Sequence, residues 1–561
     1  MMEESSSNAV WAVEQPGDSS LSIPSPQPLR MERKEKICLI LIFVFAVFFV
    51  ILTGQKRYGL SWDEAYYYEP SRSAARWLGR ALFSGARPLS SDEIDAAWEE
   101  IRELPSFVKL ALGTSSLLFE NVLGQLTALR LPAAIAFALT LLLIYRLMIE
   151  HFGRRAAVAG TLAYALTPPL FGHAHIGASE SFTAFMTILT VFCFLKGLEK
   201  PLWSVLLGIV FGLALNTKIN CAFLPLVLLP WAHVYHRRKY ANNFFALVFL
   251  SPVAMVITWP WLWHDTAKRL LEYFYFFVSH QFTAVYYFGQ KYNYGSALAP
   301  WHYPFVMMFY NTPPLILFFM FAGIASALKN IRRSPVEALL LWGGIFTLGI
   351  AAMPNSPKYD GVRLFLPAFV FMLPLAGVGL AALCERLPFD ELKKQKAAVL
   401  SIVLIGASGL FSVITSFPYN LTYFNIFAGG IRGAWNKGME TTWWGEAVND
   451  GVLKALNELP KGARIKTLAL HEKVFEYHQT WGNLRADLQI NRGAPPYDYH
   501  LLLVRKGFFA RPEWCLFLTW RRLKVFEHLG VPMVMLFKTG ADFEAAWHKT
   551  ALGGNVGEQN K

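Results

Sequence analysis

The chain has 561 residues, of which 54% are hydrophobic and only 16% are charged, and its formal net charge is +13. Soluble domains usually carry about 25% charged residues, so this composition excludes an ordinary soluble protein and indicates a polytopic membrane protein. Nucleic-acid binding is excluded as the origin of the positive charge, because no soluble segment carries a basic stretch interleaved with aromatic residues.

The sequence divides into three parts. Residues 1–29 are rich in Ser and Pro and are predicted to form a disordered cytoplasmic tail. Residues 30–416 are predicted to form an all-α membrane domain. It contains eleven apolar segments of close to membrane length, at residues 37–53, 128–149, 156–171, 181–196, 203–217, 221–235, 244–262, 303–327, 337–353, 364–383 and 398–416.

The loops between these segments predict their orientation. Lys or Arg occurs in every second loop, and by the positive-inside rule these loops and the N-terminus are cytoplasmic. The basic loops are residues 30–36, 151–155, 196–200, 236–240, 329–333 and 385–396. The other loops, at residues 54–127, 171–181, 215–220, 263–302 and 353–363, then face outward. They carry the unusual polar residues, which predicts an active site at the outer face.

Residues 417–561 follow the last apolar segment and are predicted to form a small extracytoplasmic α/β domain. A helical pattern covers residues 446–459, and strand-like patterns cover residues 464–470, 497–507 and 531–537. Cys515 is the only cysteine of this part, so no disulfide framework is expected there.

The outward loops bring together acids and cations. Asp63 and Glu64 are adjacent just after the first apolar segment, and one of them is a candidate general base. Cations at the same membrane depth suit a phosphorylated, lipid-linked substrate, because they bind phosphate and stabilise it as a leaving group. The other residues of these loops considered for the site are Lys109, His173, His175, Glu180, Lys218, Lys358, Tyr359, Asp360 and Arg363.

Each of these residues also has a structural interpretation. A single Lys or Arg at the end of a membrane segment is often an anchor whose charge reaches the interface. His173 and His175 have a spacing that occurs in metal sites, but no third ligand accompanies them, so no metal site is predicted. The aromatic residues 272–295 are predicted to form an interfacial helix, or to close over a lipid or sugar. Trp301, His302 and Tyr303 follow them in the chain and are further candidates for the site.

Several motifs resemble those of the GT-C glycosyltransferases, which use polyprenyl-phosphate sugars. Within this superfamily the chain is similar to bacterial dolichyl-phosphate-mannose–protein mannosyltransferase-like proteins and to the related lipid A aminoarabinose transferases. The motifs, which extend the resemblance over residues 37–470, are WDEAYYYEP (62–70), LPSFVKLALG (104–113), LTALRLPAAI (126–135), PKYDGVRLFLPAFVFMLP (357–374), SFPYNLTYFNIFAGGIRGA (416–434) and METTWWGEAVNDG (439–451).

Four positions depart from the patterns of this superfamily. Leu104 replaces a His and Ser106 replaces a Pro in the second motif, and Leu364 stands where His is usual. Glu180 occupies a position that is usually Asp, which preserves the charge but changes its reach by one methylene.

The resemblance implies a role for most of the candidate residues. Asp63 would be the catalytic base of an inverting displacement, and Glu64 and Glu180 would position groups around acceptor or sugar. Arg130, Lys109, Arg363 and Lys218 would bind the phosphate of the polyprenyl-phosphate donor. The acceptor would be a protein, a glycolipid or a polysaccharide, and the membrane would be a bacterial inner membrane.

Two other functions fit the same residues. A lipid-linked-sugar transporter or flippase would use the cations without chemistry, and a catalytically degenerate assembly subunit would bind the donor without turnover. The sequence does not identify the sugar, and it leaves open an endoplasmic reticulum membrane and the use of a divalent ion. No other cofactor is predicted.

Overall fold

The computed structural model of the chain describes residues 33–54, 57–85, 89–102, 104–279, 283–293, 298–540 and 543. The predicted tail, residues 1–29, lies outside this part. The first membrane-length helix is α1 (Arg33–Gly54). Three helices of the first long loop follow it: α2 (Trp62–Phe83), α3 (Ser91–Trp98) and α4 (Ser106–Leu123).

The middle of the chain is a run of apolar helices connected by short turns. Helix α5 breaks at Gly153, whose φ of 80° is outside the helical region, so it comprises two helical segments. The helices are α5 (Gln125–Ala165), α6 (Pro168–His173), α7 (Ser179–Gly197), α8 (Pro201–Leu215), α9 (Leu224–His236), α10 (Ala241–Phe245) and α11 (Ser251–Ile257).

The next part combines an antiparallel hairpin with further apolar helices. Many of these helices begin with proline, which suits the first helical turn because it lacks an N–H group. The elements are α12 (Thr266–Ser279), β1 (Val285–Tyr287), β2 (Gln290–Tyr292), α13 (Tyr303–Asn311), α14 (Pro314–Lys329), α15 (Pro335–Ala352), α16 (Pro367–Met372), α17 (Pro374–Glu385), α18 (Glu391–Ser416) and α19 (Gly430–Asn436).

The C-terminal part is a small α/β unit, as predicted. Its five strands have the order β4-β3-β5-β7-β6; β3 pairs in parallel with β4 and β5, and β7 pairs antiparallel with β5 and β6. Central strand β5 is buried along its whole length. The elements are α20 (Asp450–Asn457), β3 (Arg464–Leu468), α21 (Glu472–Thr480), β4 (Gln489–Ile490), β5 (Tyr499–Leu503), α22 (Arg511–Thr519), β6 (Arg522–His528) and β7 (Val531–Lys538).

The predicted fold class, a helical membrane protein with a small α/β C-terminal unit, is confirmed. Among the described residues, seven helices are long and apolar enough to cross a membrane, and three shorter apolar helices accompany them. Because α5 comprises two segments, these helices cover the eleven predicted apolar segments.

The predicted segment 303–327 needs a correction. It is divided into α13 and α14 by Thr312 and Pro313, so that only Pro314–Lys329 is a continuous apolar helix. Pro313 and Pro314 lack the N–H groups that a continuous helix would need at this point.

Candidate active site

Helix α2 begins directly at the predicted acid pair. Ser61 caps the helix: its side chain accepts from the N–H of Glu64, and the Glu64 carboxylate accepts from the N–H of Ser61. This reciprocal capping box fixes the first turn. Residues 63 and 64 are about 100° apart around a helix of 3.6 residues per turn, so their carboxylates point in different directions.

Asp63 faces Arg363, whose guanidinium contacts three different carboxylates. Its Nη2 donates to Asp63, its Nε donates to Glu180 over 2.9 Å, and its Nη1 donates to Asp360 over 3.0 Å. The guanidinium also lies over the ring of Trp444, 4.1 Å from the ring centroid. Arg363 therefore connects loops that are far apart in sequence at one point.

Lys218 adds a second cation to this centre. Its ammonium donates to Oε1 of Glu180 over 2.7 Å, the same oxygen that accepts from Arg363. Glu180 is almost completely buried at 2% exposure of its side chain, whereas Asp63, Arg363 and Lys218 retain 19%, 12% and 16%. Asp63 and both cations are therefore partly exposed.

Asp360 connects this centre to the C-terminal unit. It lies in the left-handed region with φ 55°, and the following Gly361 has φ 65° and faces the ring of Trp443 so closely that a Cβ would lie 2.7 Å from it. Oδ1 of Asp360 accepts from Arg505 over 2.7 Å, and Arg505 also donates to the carbonyl of Trp443. Arg505 is completely buried.

Glu64 has a separate set of partners on the other side of α2. Arg130 donates to its two oxygens over 2.6 and 2.8 Å, and the N–H of Gly177 donates to it over 2.8 Å. Arg130 also donates to the carbonyls of Tyr58 and Gly59. This pair is buried and its hydrogen bonds are directed at protein groups.

Burial determines the protonation of several groups around the site. It raises the pKa of Asp63 above the ordinary value of 3.8, against the opposing effect of Arg363. Burial also raises the pKa of Glu440 and of Glu446 to about 7. It lowers the pKa of His173 to about 4, so this ring, whose centroid is 5.4 Å from that of Trp444, is neutral at pH 7.

Other predicted residues lie away from Arg363. The ammonium of Lys109 donates to the carbonyls of Trp98 and Glu100, over 3.0 and 2.6 Å. Lys358 donates to the carbonyls of Met353 and Ser356. Neither ammonium contacts the carboxylates around Arg363.

His175 and the aromatic residues predicted to enclose a substrate also have no contact with Arg363 among the described contacts. His175 stacks on Tyr58 with ring centroids 4.5 Å apart. His302 shares a hydrogen bond with Tyr287 of the hairpin, and Trp301 is 67% exposed. The rings of Tyr303 and Tyr287 are 5.0 Å apart. Tyr359 is half-buried beside Asp360, and burial raises its pKa to about 12.

Within the described residues, no three His, Cys, Asp or Glu side chains form a group that would hold a metal ion.

The sequence did not predict Arg505 as a site residue, and it assigned no role to Glu440 or Trp444. Arg505 follows a strand-like run, where a basic residue is ordinarily expected at the surface. The motif at residues 439–451 was the available signal for the other two, since its aromatic and acidic residues occur together.

Comparison with known proteins gives one family match. Residues 105–264 match the family described as dolichyl-phosphate-mannose-protein mannosyltransferase. The predicted resemblance is confirmed over this segment. This segment contains Arg130, Glu180 and Lys218. The apolar helices indicate a multi-pass integral membrane protein.

Solved structures similar to the chain include two of ArnT from Cupriavidus metallidurans. In the apo state the identity is 15% and the TM-score 0.49, with 91% of this chain and 99% of that chain covered. For ArnT bound to undecaprenyl phosphate, the identity is 15% and the TM-score 0.47, with 90% of this chain and 98% of that chain covered. An oligosaccharyltransferase from Archaeoglobus fulgidus, tethered with an acceptor peptide, has 13% identity, a TM-score of 0.45 and coverages of 82% and 61%. No curated protein matches the sequence.

Proposed function

We propose that the protein transfers a sugar from a polyprenyl-phosphate donor to an acceptor at the outer face of a bacterial inner membrane. The observation that carries the proposal is the contact of Arg363 with Asp63, next to Lys218. A candidate base and two candidate phosphate ligands are thereby adjacent and partly accessible. The family match over residues 105–264, which include Lys218, supports the reaction class.

The two cations retain donors for a phosphate. A guanidinium carries five N–H groups and an ammonium three. Among the described residues, Arg363 uses three of these groups on carboxylates and Lys218 uses one. Two N–H groups on each side chain therefore remain to bind phosphate oxygens through charge-assisted hydrogen bonds.

Asp63 acts as the general base in this proposal. Its carboxylate accepts the proton of an acceptor hydroxyl or amine, whose lone pair forms a bond to the anomeric carbon. The bond between that carbon and the phosphate oxygen breaks, and polyprenyl phosphate leaves with the electron pair, so the configuration inverts. When phosphate engages Arg363, its pairing with Asp63 weakens, and the pKa of Asp63 rises toward that of an effective base.

The test measures the release of free polyprenyl phosphate from a panel of polyprenyl-phosphate sugars by purified protein, with water replacing the acceptor. We expect slow release from one donor by the wild-type protein. Asp63→Asn should reduce this rate by about 10²- to 10⁴-fold, because that is the usual contribution of a general base. Glu69→Gln is the matched control, since Glu69 lies on the same helix and is half-exposed.

Three results would contradict the proposal. Equal release by the wild type and Asp63→Asn would exclude Asp63 as the base. Movement of intact donor across a reconstituted bilayer, without release of polyprenyl phosphate when candidate acceptors are supplied, would indicate a transporter. Tight donor binding without turnover or transport would indicate an assembly subunit.

A further inference from the structure

A cavity of about 230 Å³ lies beside the first turn of α2, and Asp63 is not among the residues that line it. Its apolar wall comes from the end of α1 and the start of α5, through Val50, Ile51 and Leu126. Both helices are long and apolar enough to cross a membrane, so the cavity lies at their ends, next to the loop that carries Asp63.

The cavity also has polar and aromatic lining. Asn449, Trp481 and Asn483 come from the C-terminal unit, Gln125 and Thr127 from the first turn of α5, and Tyr58 from the segment between α1 and α2. Amide and hydroxyl groups both donate and accept hydrogen bonds, as hydroxyl groups of a ligand require. Aromatic faces provide an apolar surface for the C–H groups of a sugar ring.

The charge of the cavity argues against a phosphate ligand. Among the described residues that line it, Arg130 is the only Lys or Arg, and its charge is balanced by Glu64. His175 and His478 are neutral at pH 7, because burial lowers their pKa values to about 3 and about 4.

The volume suits a group larger than a few waters. One water occupies about 30 Å³ of liquid, so the cavity accommodates a polar group the size of a sugar ring. Its walls also contact the catalytic helix in two places. Arg130 binds Glu64, and the ring of Trp481 packs against Tyr68 with centroids 5.2 Å apart.

We propose that this cavity binds an uncharged sugar group of the acceptor, on the Glu64 side of α2 and away from the donor phosphate at Arg363. The proposal rests on the proposed function, and it divides the two substrates between the two arginines. Arg363, with Lys218, serves the donor phosphate, and Arg130, neutralised by Glu64, shapes the acceptor site.

The test uses cysteine labelling of the full-length protein in phospholipid nanodiscs. Asn483→Cys places a thiol at the exposed edge of the cavity, and its labelling rate with a maleimide is measured against the unsubstituted protein. Glu476→Cys is the matched control, because Glu476 is exposed on α21 but does not line the cavity. The ligands are decyl glycosides of several hexoses, hexosamines and pentoses below their critical micelle concentrations, with the corresponding free sugars.

We expect at least one sugar type to slow the labelling of Asn483→Cys by fivefold or more, without slowing that of Glu476→Cys. Protection by the decyl glycoside alone would identify a glycolipid as the source, and equal protection by the free sugar would identify a soluble glycan. Lack of protection by every glycoside would overturn the proposal. Stronger protection by polyprenyl phosphate, or by a Ser/Thr-containing peptide, would also overturn it.

Labelling does not depend on turnover, so this result is separable from the donor-cleavage test. Protection in a protein that releases no polyprenyl phosphate would preserve the sugar site and refute the transferase reaction. Release of polyprenyl phosphate without protection from labelling would support the transferase reaction and refute the sugar site.

Discussion

Two arginine centres flank the first turn of α2, and they differ in how their hydrogen bonds are used. Arg130 is buried, and it is bound to Glu64 and to the carbonyls of Tyr58 and Gly59. Arg363 is shared among three carboxylates and remains partly exposed. We call these the Arg130 centre and the Arg363 centre.

The difference explains how adjacent acids coexist in one turn. Asp63 and Glu64 each have their own guanidinium, so their mutual repulsion is offset in two different directions from the helix. Glu64 also accepts the N–H groups of Ser61 and Gly177, so its oxygens are occupied by protein groups. Glu64 is completely buried, whereas 19% of the Asp63 side chain is exposed.

The largest expected effect on stability is at the Arg130 centre. Glu64→Gln leaves the buried charge of Arg130 without its counter-ion, which typically costs about 3–5 kcal/mol. We expect the free energy of unfolding, measured by chemical denaturation in detergent with tryptophan fluorescence, to fall by this amount. Glu69→Gln, which removes a half-exposed partner of Arg76, should change it by less than about 1 kcal/mol.

A smaller loss for Glu64→Gln, comparable to that for Glu69→Gln, would contradict the structural role assigned to Glu64. In that case the buried pair of Glu64 and Arg130 would contribute no more to stability than the half-exposed pair of Glu69 and Arg76.

A second effect near the Arg130 centre depends on pH. The carbonyl of Glu446 accepts from Gly59, and burial raises the pKa of its carboxyl from 4.5 to about 7. A raised carboxyl pKa favours the protonated folded state, so this contribution is complete below pH 4.5 and is lost as pH rises through about 7.

Glu446→Gln removes this titration. From pH 5 to pH 8 the wild type should therefore lose about 3 kcal/mol more unfolding free energy than Glu446→Gln. The measurement is the same denaturation series at each pH. Parallel pH dependences in the two proteins would show that Glu446 does not titrate in this range.

A substitution at the Arg363 centre should lower the rate of donor cleavage. Arg363→Lys retains the charge but has one nitrogen in place of three, so it cannot bridge Asp63, Glu180 and Asp360 together. Loss of about two charge-assisted hydrogen bonds corresponds to about 3 kcal/mol, or roughly a 10²-fold loss of donor cleavage. Lys437→Arg, at an exposed site, is a matched control for exchanging the two cations. If Arg363→Lys cleaves the donor at the wild-type rate, bridging of the three carboxylates by Arg363 is not required for donor cleavage.

Much of the fold could be predicted from the sequence, because a helix that crosses a membrane needs an apolar segment of about 20 residues. The eleven segments correspond to apolar helices, and the strands predicted at residues 464–470, 497–507 and 531–537 overlap β3, β5 and β7. The extent of the segment at 303–327 was wrong, because hydropathy averages across the Pro313–Pro314 break.

The candidate site was only partly predictable. The motifs identified Asp63 and Arg363, and the outward loops identified Glu180 and Lys218. These four residues meet at one point, although no spacing in the sequence reveals the contact of Lys218 with Glu180. The sequence also grouped Lys109 with the phosphate ligands, although its ammonium binds backbone carbonyls. Side-chain direction decides such cases, and a linear pattern does not contain it.

The smallest expected effect concerns Arg505, which a sequence pattern would place at the surface. Because it binds Asp360, we infer that it positions Arg363 from the C-terminal unit. Without it, Asp360 draws Arg363 more strongly, which moves Arg363 from the donor phosphate and weakens its pairing with Asp63. The loss of phosphate binding should lower kcat/KM for donor cleavage about tenfold in Arg505→Gln, and the weaker pairing should move the acidic limb of its pH profile to higher pH.

Arg505→Lys separates positioning from a purely structural role. It restores a cation beside Asp360, so it should return the acidic limb toward its wild-type position even if the rate recovers only partly. A purely structural role would lower the amount of folded protein and leave the pH profile of the remaining activity unchanged. If the acidic limb is the same in wild type, Arg505→Gln and Arg505→Lys, the C-terminal unit does not act on Asp63 through Asp360 and Arg363.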